Sequence, residues 1–386
     1  MLVQRPPMGW NTWNTFGKDI NEAMIRESAD AFIDYGLKDA GYEYLVIDDC
    51  WSEYNRDPVT DRIVPDHVKF PNGMKVVADY VHSKGLKFGM YSCDGVRTCA
   101  DYPGSFDHEF LDAQMFAEFG VDYLKYDNCY KPNNASGPSL YRRMAMALRS
   151  TGRDILFSAC NWGTDDVWTW IRGAGAHMYR STGDIHDSAE SYRNIIRSQI
   201  DKFGYSAPGC YNDIDMLTVG MYGKGLVGSV GCNDADYRSQ FALWCMFSAP
   251  LMLGCDIRHM NQQTIDLVTN RELIKIDQDP ECRPPISRKC LWNDDALALL
   301  KMLDNNEYAI GFFNIGEKDA SLPMLFAEFG LPAHSGYGFK VKNVFTGEDA
   351  GVYKEYLRVP VPAHDCVVYR AQLVRVWHCA RGAARH

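Results

Sequence analysis

The chain offers no run of eighteen apolar residues, no basic tract, no CxxC spacing and no GxGxxG turn after its first strand-like segment. Each absence removes a class of function. Without a long apolar run, no membrane-spanning helix is expected. The opening "MLVQRPPMGWNTWNTF" meets proline at once and holds no apolar stretch of signal-peptide length. Fifty acidic residues against forty basic ones give a formal charge of -10, which argues against nucleic acid or an anionic membrane as a partner. The missing glycine turn disfavours an NAD-dependent oxidoreductase. Thirteen cysteines lie scattered without Cys/His zinc spacing, and most read as small buried hydrophobes. With no export signal in view, a reducing cytoplasm is the expected location.

What is present is alternation. Eight strand-like units, from "PPMGWNTW" through "YEYLVIDDC", "LKFGMYS", "VDYLKYD", "DILFSAC", "AHMYRSTGD" and "APGCYNDIDML" to "APLMLGCDI", are separated by helix-period stretches near 73–84, 110–120, 138–150, 188–203 and 234–247. Such repetition means parallel strands joined by crossover helices. A doubly wound sheet gives the same alternation. Polar residues at the C-terminal end of nearly every strand favour the closed (β/α)8 TIM barrel, where such ends build the site. The barrel is expected over 1–276. From 277 to 386 the texture turns to short strand-like runs such as "ALALLKML", "YAIGFFNI" and "CVVYRAQLVRVW", which predict a C-terminal antiparallel β-sandwich.

The stretch "YLKYDNCY", residues 123–130, puts Lys125 and Asp127 two apart on a strand, hence on one face. Alone, they read equally as a structural ion pair. Other strand tips offer Trp13, Asp48, Asp49, Tyr91, Asp94, Cys160, Asn161, Trp162, Arg180, Asp184, Asp213, Asp215 and Asp256. Acceptors and donors ringed by aromatics suit a sugar, and carboxylates on separate strands can flank a glycosidic bond. A divalent ion at the Asp48–Asp49 pair is the competing reading; Lys125 and Arg180 in the same mouth would already neutralise the acids, and no histidine joins them. A carbohydrate-binding protein without turnover is the non-catalytic alternative.

The ordered segments "PPMGWNTWNTF", "IDDCW", "TCADYPGS", "DYLKYDNC", "CNWG", "YRSTGDI", "NDIDML" and "APLMLGCDI" resemble glycoside hydrolase family 27, the retaining α-galactosidases and α-N-acetylgalactosaminidases. The resemblance implies Asp127 as nucleophile and Asp184 as acid/base, their carboxyl groups about 5–5.5 Å apart. It implies Asp48 and Asp49 at the O4/O6 side of galactose, Lys125 at O3/O4, Arg180 toward O2, Trp13 over the C6 face and Tyr91 in the lining. Cys160, Asn161, Trp162 and Asp215 join the substrate-binding set, with bulky "CNWG" favouring a free 2-hydroxyl. Cys99 and Cys129 match a family cysteine pair beside the nucleophile. No cofactor or metal is implied, the substrate being a galactoside, and a homo-oligomer is compatible with the sequence. Two departures fall where the sugar's C5–C6 side or the leaving group would be read. "MYSCDG" puts Asp94 near the expected pocket mouth, where it would read or crowd C6, and "VGMYGKGLVGSVGCND" is long and glycine-rich. β-L-Arabinopyranosides and α-N-acetylgalactosaminides are therefore the alternative substrates. As proton donor, Asp184 is expected to have a higher working pKa than Asp127.

Overall fold

The computed structural model describes residues 2–289 and 295–376. It divides into two compact units, one ending at Cys282 and one beginning at Arg283. The first unit thus runs past the end at 276 read from the sequence. Its last helix, Arg271–Asp277, leads into a turn that buries Cys282 beside Tyr211 in the barrel core.

Eight parallel strands form one sheet: β1 (Met8–Asn11), β2 (Tyr44–Val46), β3 (Lys87–Cys93), β4 (Tyr123–Asp127), β5 (Leu156–Cys160), β6 (Met178–Arg180), β7 (Tyr211–Asp213) and β8 (Leu251–Leu253). The order β7-β6-β5-β4-β3-β2-β1-β8 leaves β7 and β8 at the two ends. Leu217, just after β7, closes the ring: its N–H donates to Met252 O (2.8 Å), and Gly254 N–H donates to Leu217 O (3.0 Å). Helices Met74–Ser83, Glu109–Phe119, Gly137–Ser150, Ala189–Gln199 and Asp234–Phe247 stand where periodicity predicts them. Asn233 and Asp236 begin the last with a reciprocal capping box. The helix Glu22–Asp34 was not anticipated from the sequence, although Asn21 caps it by accepting from Met24 N–H. Among the described residues no helix is long and apolar enough to cross a membrane.

Strand alternation explains how the barrel makes a floor and a mouth. Tyr44, Val46, Tyr123, Leu156, Met178, Tyr211 and Met252 fill the lower interior, with Val3 and Cys282 packed against them. Two residues further along the same faces come Asp48, Lys125, Ser158, Arg180 and Asp213. In-register pairing aligns Tyr91 with Lys125 and Cys93 with Asp127, and on the other side Asp127 with Cys160. An apolar plug therefore gives way to polar groups within one turn of the pleat.

The second unit pairs a six-stranded antiparallel sheet with a two-stranded one. The larger contains β9 (Ile286–Lys289), β10 (Ala296–Met302), β11 (Glu307–Asn314), β13 (Tyr337–Asn343), β14 (Asp349–Tyr353) and β16 (Cys366–Arg375). The smaller joins β12 (Ala320–Leu325) to β15 (Tyr356–Val361). Alternate residues such as Ala298, Leu300, Phe312, Leu322, Met324, Phe339, Leu357 and Val359 meet in one core. The antiparallel sandwich expectation holds.

Candidate active site

At the mouth of the barrel lies a cavity of about 100 Å³ whose walls include Trp13, Asp48, Asp49, Tyr91, Lys125 and Asp127. Cys160, Trp162, Arg180, Asp184 and Asp215 complete the set read from the sequence. Eleven of the thirteen predicted residues thus converge; Asp94 and Asn161 do not.

Asp127 is buried at the end of β4 and is held on both oxygens. Tyr91 Oη donates to Oδ2 at 2.9 Å; Trp162 Nε1 and Asn128 N–H donate to Oδ1 at 2.8 and 2.9 Å. Burial nevertheless pushes its pKa upward, with nearby Lys125 opposing. The donors fix the carboxylate's direction while leaving it short of the stabilisation that water would give. The Trp162 contact, made from a residue with φ of 61°, was not foreseen from the sequence.

Beside it, Lys125 Nζ donates to Asp48 Oδ2 at 2.8 Å, and Asn11 Nδ2 donates to the same oxygen at 2.7 Å. Burial works against the lysine's charge, but Asp48 and its anionic neighbours hold its pKa well above the ordinary value. Asp49 accepts from Cys50 N–H and Ala100 N–H, and burial pushes it up to about 6. These protein donors occupy the acids that the competing reading assigned to a divalent ion. Side chains that could gather round a metal among the described residues are Cys99, Asp127 and Cys129, and separately Glu53, Asp66 and His67. In the first group the sulfurs are joined as a Cys99–Cys129 disulfide, so neither is a thiolate ligand.

The opposite wall is organised by Arg180. Its Nη2 meets Asp184 Oδ1 at 2.5 Å and its Nη1 meets Asp215 Oδ1 at 3.1 Å. Burial disfavours the guanidinium charge, yet Asp215, Cys160 and Asp184 more than compensate. Asp215 sits at φ 83°, a backbone state costly for a residue with a side chain. Its conformation is fixed by Asp213 Oδ1 accepting from its N–H and by Trp244 Nε1 donating to its carbonyl. Its Oδ2 accepts from Ile185 N–H at 2.7 Å, so one carboxylate anchors both the arginine and the segment carrying Asp184.

For Asp184 the electrostatics reverse the expectation. Burial raises its pKa, but the charge and hydrogen bond of Arg180 outweigh this and hold it below the usual carboxylate range. In the unliganded site the expected proton donor is therefore the more acidic of the pair.

Asp94 is the clearest misplacement. It follows Cys93 on the opposite strand parity, is completely buried, and does not line the cavity. Neither carboxylate oxygen has a hydrogen-bond partner, and burial pushes its pKa up to about 7. It cannot crowd C6 of a sugar in the cavity. Asn161 fails for the same reason: next to inward Cys160, it turns away and accepts from Thr164 Oγ1 at 2.9 Å. Asp256, another strand-tip acid, is paired with Arg258 instead.

The glycine-rich segment after β7, read from the sequence as bearing on the C5–C6 side of the sugar or on the leaving group, supplies a wall of the cavity. Val227 lines the cavity, its N–H donating to Asn14 O and Leu226 N–H donating to Thr15 O. Gly225, at φ 87°, allows this approach: a Cβ there would lie 2.7 Å from Thr15 Cα. Asn14, Ile185, His186 and Met216 also line the cavity without having been singled out, because their loop positions show no strand-end pattern.

Two family descriptions match consecutive parts of the chain: "Alpha galactosidase A" over residues 5–279 and "Alpha galactosidase C-terminal beta sandwich domain" over 293–371. The chain belongs to the α-galactosidase family, glycoside hydrolase family 27. An α-galactosidase of Cyamopsis tetragonoloba is 40% identical over 369 residues, covering 95% of this chain and 86% of that one. α-Galactosidase A of Cellvibrio japonicus is 37% identical over 390 residues, covering 96% and 92%. The crystal structure of α-galactosidase I from Mortierella vinacea superposes with a TM-score of 0.88 at 32% identity, covering 96% of this chain and 97% of that chain. Within the α-galactosidase family, the convergence of the strand-end residues on one cavity supplies the geometric content of the motifs.

Proposed function

We propose that this chain is a retaining α-galactosidase that removes terminal α-D-galactosyl groups by double displacement. The observation that carries this reading is a single cavity lined by Asp127, Asp184, Lys125 and the Asp48–Asp49 pair, with Trp13 as an apolar wall. Carboxylate and ammonium groups suit ring hydroxyls, while an indole suits the apolar C–H face of galactose.

In the first step, Asp127 attacks the anomeric carbon as its bond to the leaving oxygen breaks. Asp184 gives that oxygen a proton, leaving a galactosyl ester on Asp127. Asp184, now ionised, takes a proton from water as that water attacks the anomeric carbon, and Asp127 departs as carboxylate. The oxocarbenium-like charge of each transition state forms in a site where Asp127 is held by fixed donors and needs little reorganisation. Because Asp94 is withdrawn behind the strand, no carboxylate from that position blocks a hydroxymethyl group, which supports galactose over arabinopyranose.

Asp184→Ala is the expected test of the roles. Loss of a general acid costs about 10²–10⁴-fold where the leaving group needs protonation. Because Asp184 also serves the second step, which is common to all substrates, the first step is read from kcat/KM: the variant should lose far more kcat/KM on an alkyl galactoside or a galactosyl disaccharide than on a dinitrophenyl α-galactoside. Proton NMR of the first-formed sugar should show α-galactose. Equal losses on all leaving groups would reject Asp184 as the acid, and a β-anomer formed first would reject retention.

A further inference from the structure

Three atoms at the galactosyl cavity stand closer together than the reaction above requires. The sulfurs of Cys99 and Cys129 and a carboxylate oxygen of Asp127 all lie within 4.8 Å of one another. The sulfurs are joined to each other, which keeps both of them from acting as anionic ligands beside Asp127. Cys99 is exposed and lines the cavity, so a small reductant reaches this bond through the mouth of the site. We infer that the reduced pair and Asp127 form a binding site for a thiophilic divalent cation of the zinc class, and that such a cation switches the enzyme off by engaging its nucleophile.

The donor set and its spacing suit that ion. Two thiolates and a carboxylate are ligands that zinc and cadmium prefer, and zinc holds sulfur at about 2.3 Å. Donors at such bond lengths round a tetrahedral centre stand roughly 3.5–4 Å apart, inside the spread of these three. The segments carrying them are held by bonds other than the disulfide. On the Cys99 side, Ala100 N–H donates to Asp49 Oδ2 at 3.1 Å, and Thr98 N–H donates to Tyr102 O at 2.8 Å. Cys129 follows β4 directly, and Asp94 N–H donates to Asp127 O at 2.9 Å. Gly95 packs against the same turn so closely that a Cβ there would lie 1.8 Å from Cys129 O. Breaking the S–S bond therefore releases two side chains while their backbones stay in place.

The chemistry balances with a dithiol as co-reactant. The Cys99–Cys129 bond takes two electrons and two protons from it and becomes two thiols, while the reductant closes to its own disulfide. Cation entry displaces both thiol protons. The lone pair that Asp127 must direct at the anomeric carbon is then shared with the metal, and attack stops. A small disulfide oxidant reverses the sequence, taking the two electrons back as the cation leaves. Burial makes the pair the accessible target, since the other nine described cysteines are all buried. The disulfide on this account keeps the nucleophile clear of metal, a role distinct from bracing two loops.

The loss of activity rests on the galactosidase reading, whereas the binding site does not, and cadmium chloride as probe reads both. Oxidised protein, and protein reduced with dithiothreitol and then freed of it under argon, are titrated with cadmium. Thiolate-to-cadmium charge-transfer absorption and hydrolysis of an aryl α-galactoside are followed together. The reduced form should bind one cadmium ion more than the oxidised form, with that absorption, and lose tenfold or more of its rate. EDTA should restore the rate, and the oxidised form should stay within twofold of its metal-free rate. Cysteines elsewhere in the chain are present in both forms, so the contrast belongs to the pair. In reduced Asp127→Asn, read by binding alone, cadmium affinity should fall tenfold or more. No extra cadmium on reduction, cadmium bound with the rate unchanged, or equal inhibition of the two forms would overturn the inference. So would unchanged affinity in Asp127→Asn, or a loss of rate on reduction that EDTA does not reverse. If the oxidised protein hydrolysed no galactoside, the galactosidase reading would fall while the binding comparison still decided the site.

Discussion

Asp127→Ala should lower kcat/KM for an aryl α-galactoside on the order of 10⁴-fold or more, the scale seen when a covalent nucleophile is removed. The residue has no substitute: the neighbouring acids Asp48 and Asp49 are already engaged by Lys125, Asn11 and backbone N–H groups. The substitution also leaves the Tyr91 hydroxyl, the Trp162 N–H and the Asn128 N–H facing vacated space. A small anion can fill that space. Added azide should restore part of the rate and yield β-galactosyl azide, because it attacks from the face Asp127 used. With Asp184→Ala, azide should instead yield α-galactosyl azide, since the galactosyl ester still forms and is opened from the opposite side. Near-normal turnover in Asp127→Ala, or an α-azide product from it, would remove Asp127 from the nucleophile role.

The second large effect concerns stability. Asp94 is buried with a pKa pushed up to about 7, against 3.8 for its ordinary value. A carboxyl group whose folded pKa is raised stays protonated in the native state while the unfolded chain ionises. Its penalty is absent below pH 3.8, grows as pH rises, and is complete above pH 7. The full loss is about 4 kcal/mol, of which roughly 3 kcal/mol falls between pH 5 and pH 8. Asp94→Asn removes that titration. Urea unfolding at pH 5 and pH 8 should show a fall in stability with pH that is smaller in the variant by roughly 3 kcal/mol. Comparing slopes cancels any constant cost of burying the amide. Identical pH dependence in the two proteins would refute the raised pKa.

Much of this architecture was legible because barrel strands are short apolar runs with chemistry at one end. Tyr123, Lys125 and Asp127 display the principle in five residues: plug, counter-ion, proposed nucleophile. Asp94 and Asn161 were misread for want of the same principle. Each adjoins an inward residue, Cys93 or Cys160, and alternation sends it outward. Asp49 escapes that rule only because β2 ends at Val46 and the chain is already turning. The helix Glu22–Asp34 did carry a signal, an Asn cap followed by Met24, Ile25, Ser28, Ala29 and Phe32, all buried on one stripe. In the second unit, β14 contains a glycine and β15 a proline, both weak strand formers, so neither stood out. The reversed acidity of Asp184 had no sequence signature, since it depends on where the Arg180 side chain goes.

That arginine has a thermodynamic consequence. One guanidinium is divided between Asp184 and Asp215, so a ligand whose hydroxyl draws Arg180 toward itself weakens the grip that keeps Asp184 ionised. Occupancy and protonation then become linked: galactose entering the cavity should pull a proton from solution onto Asp184, arming the donor as the site fills. The binding heat would accordingly change with the ionisation enthalpy of the buffer. An empty site would hold its acid discharged, and the sugar itself would charge it.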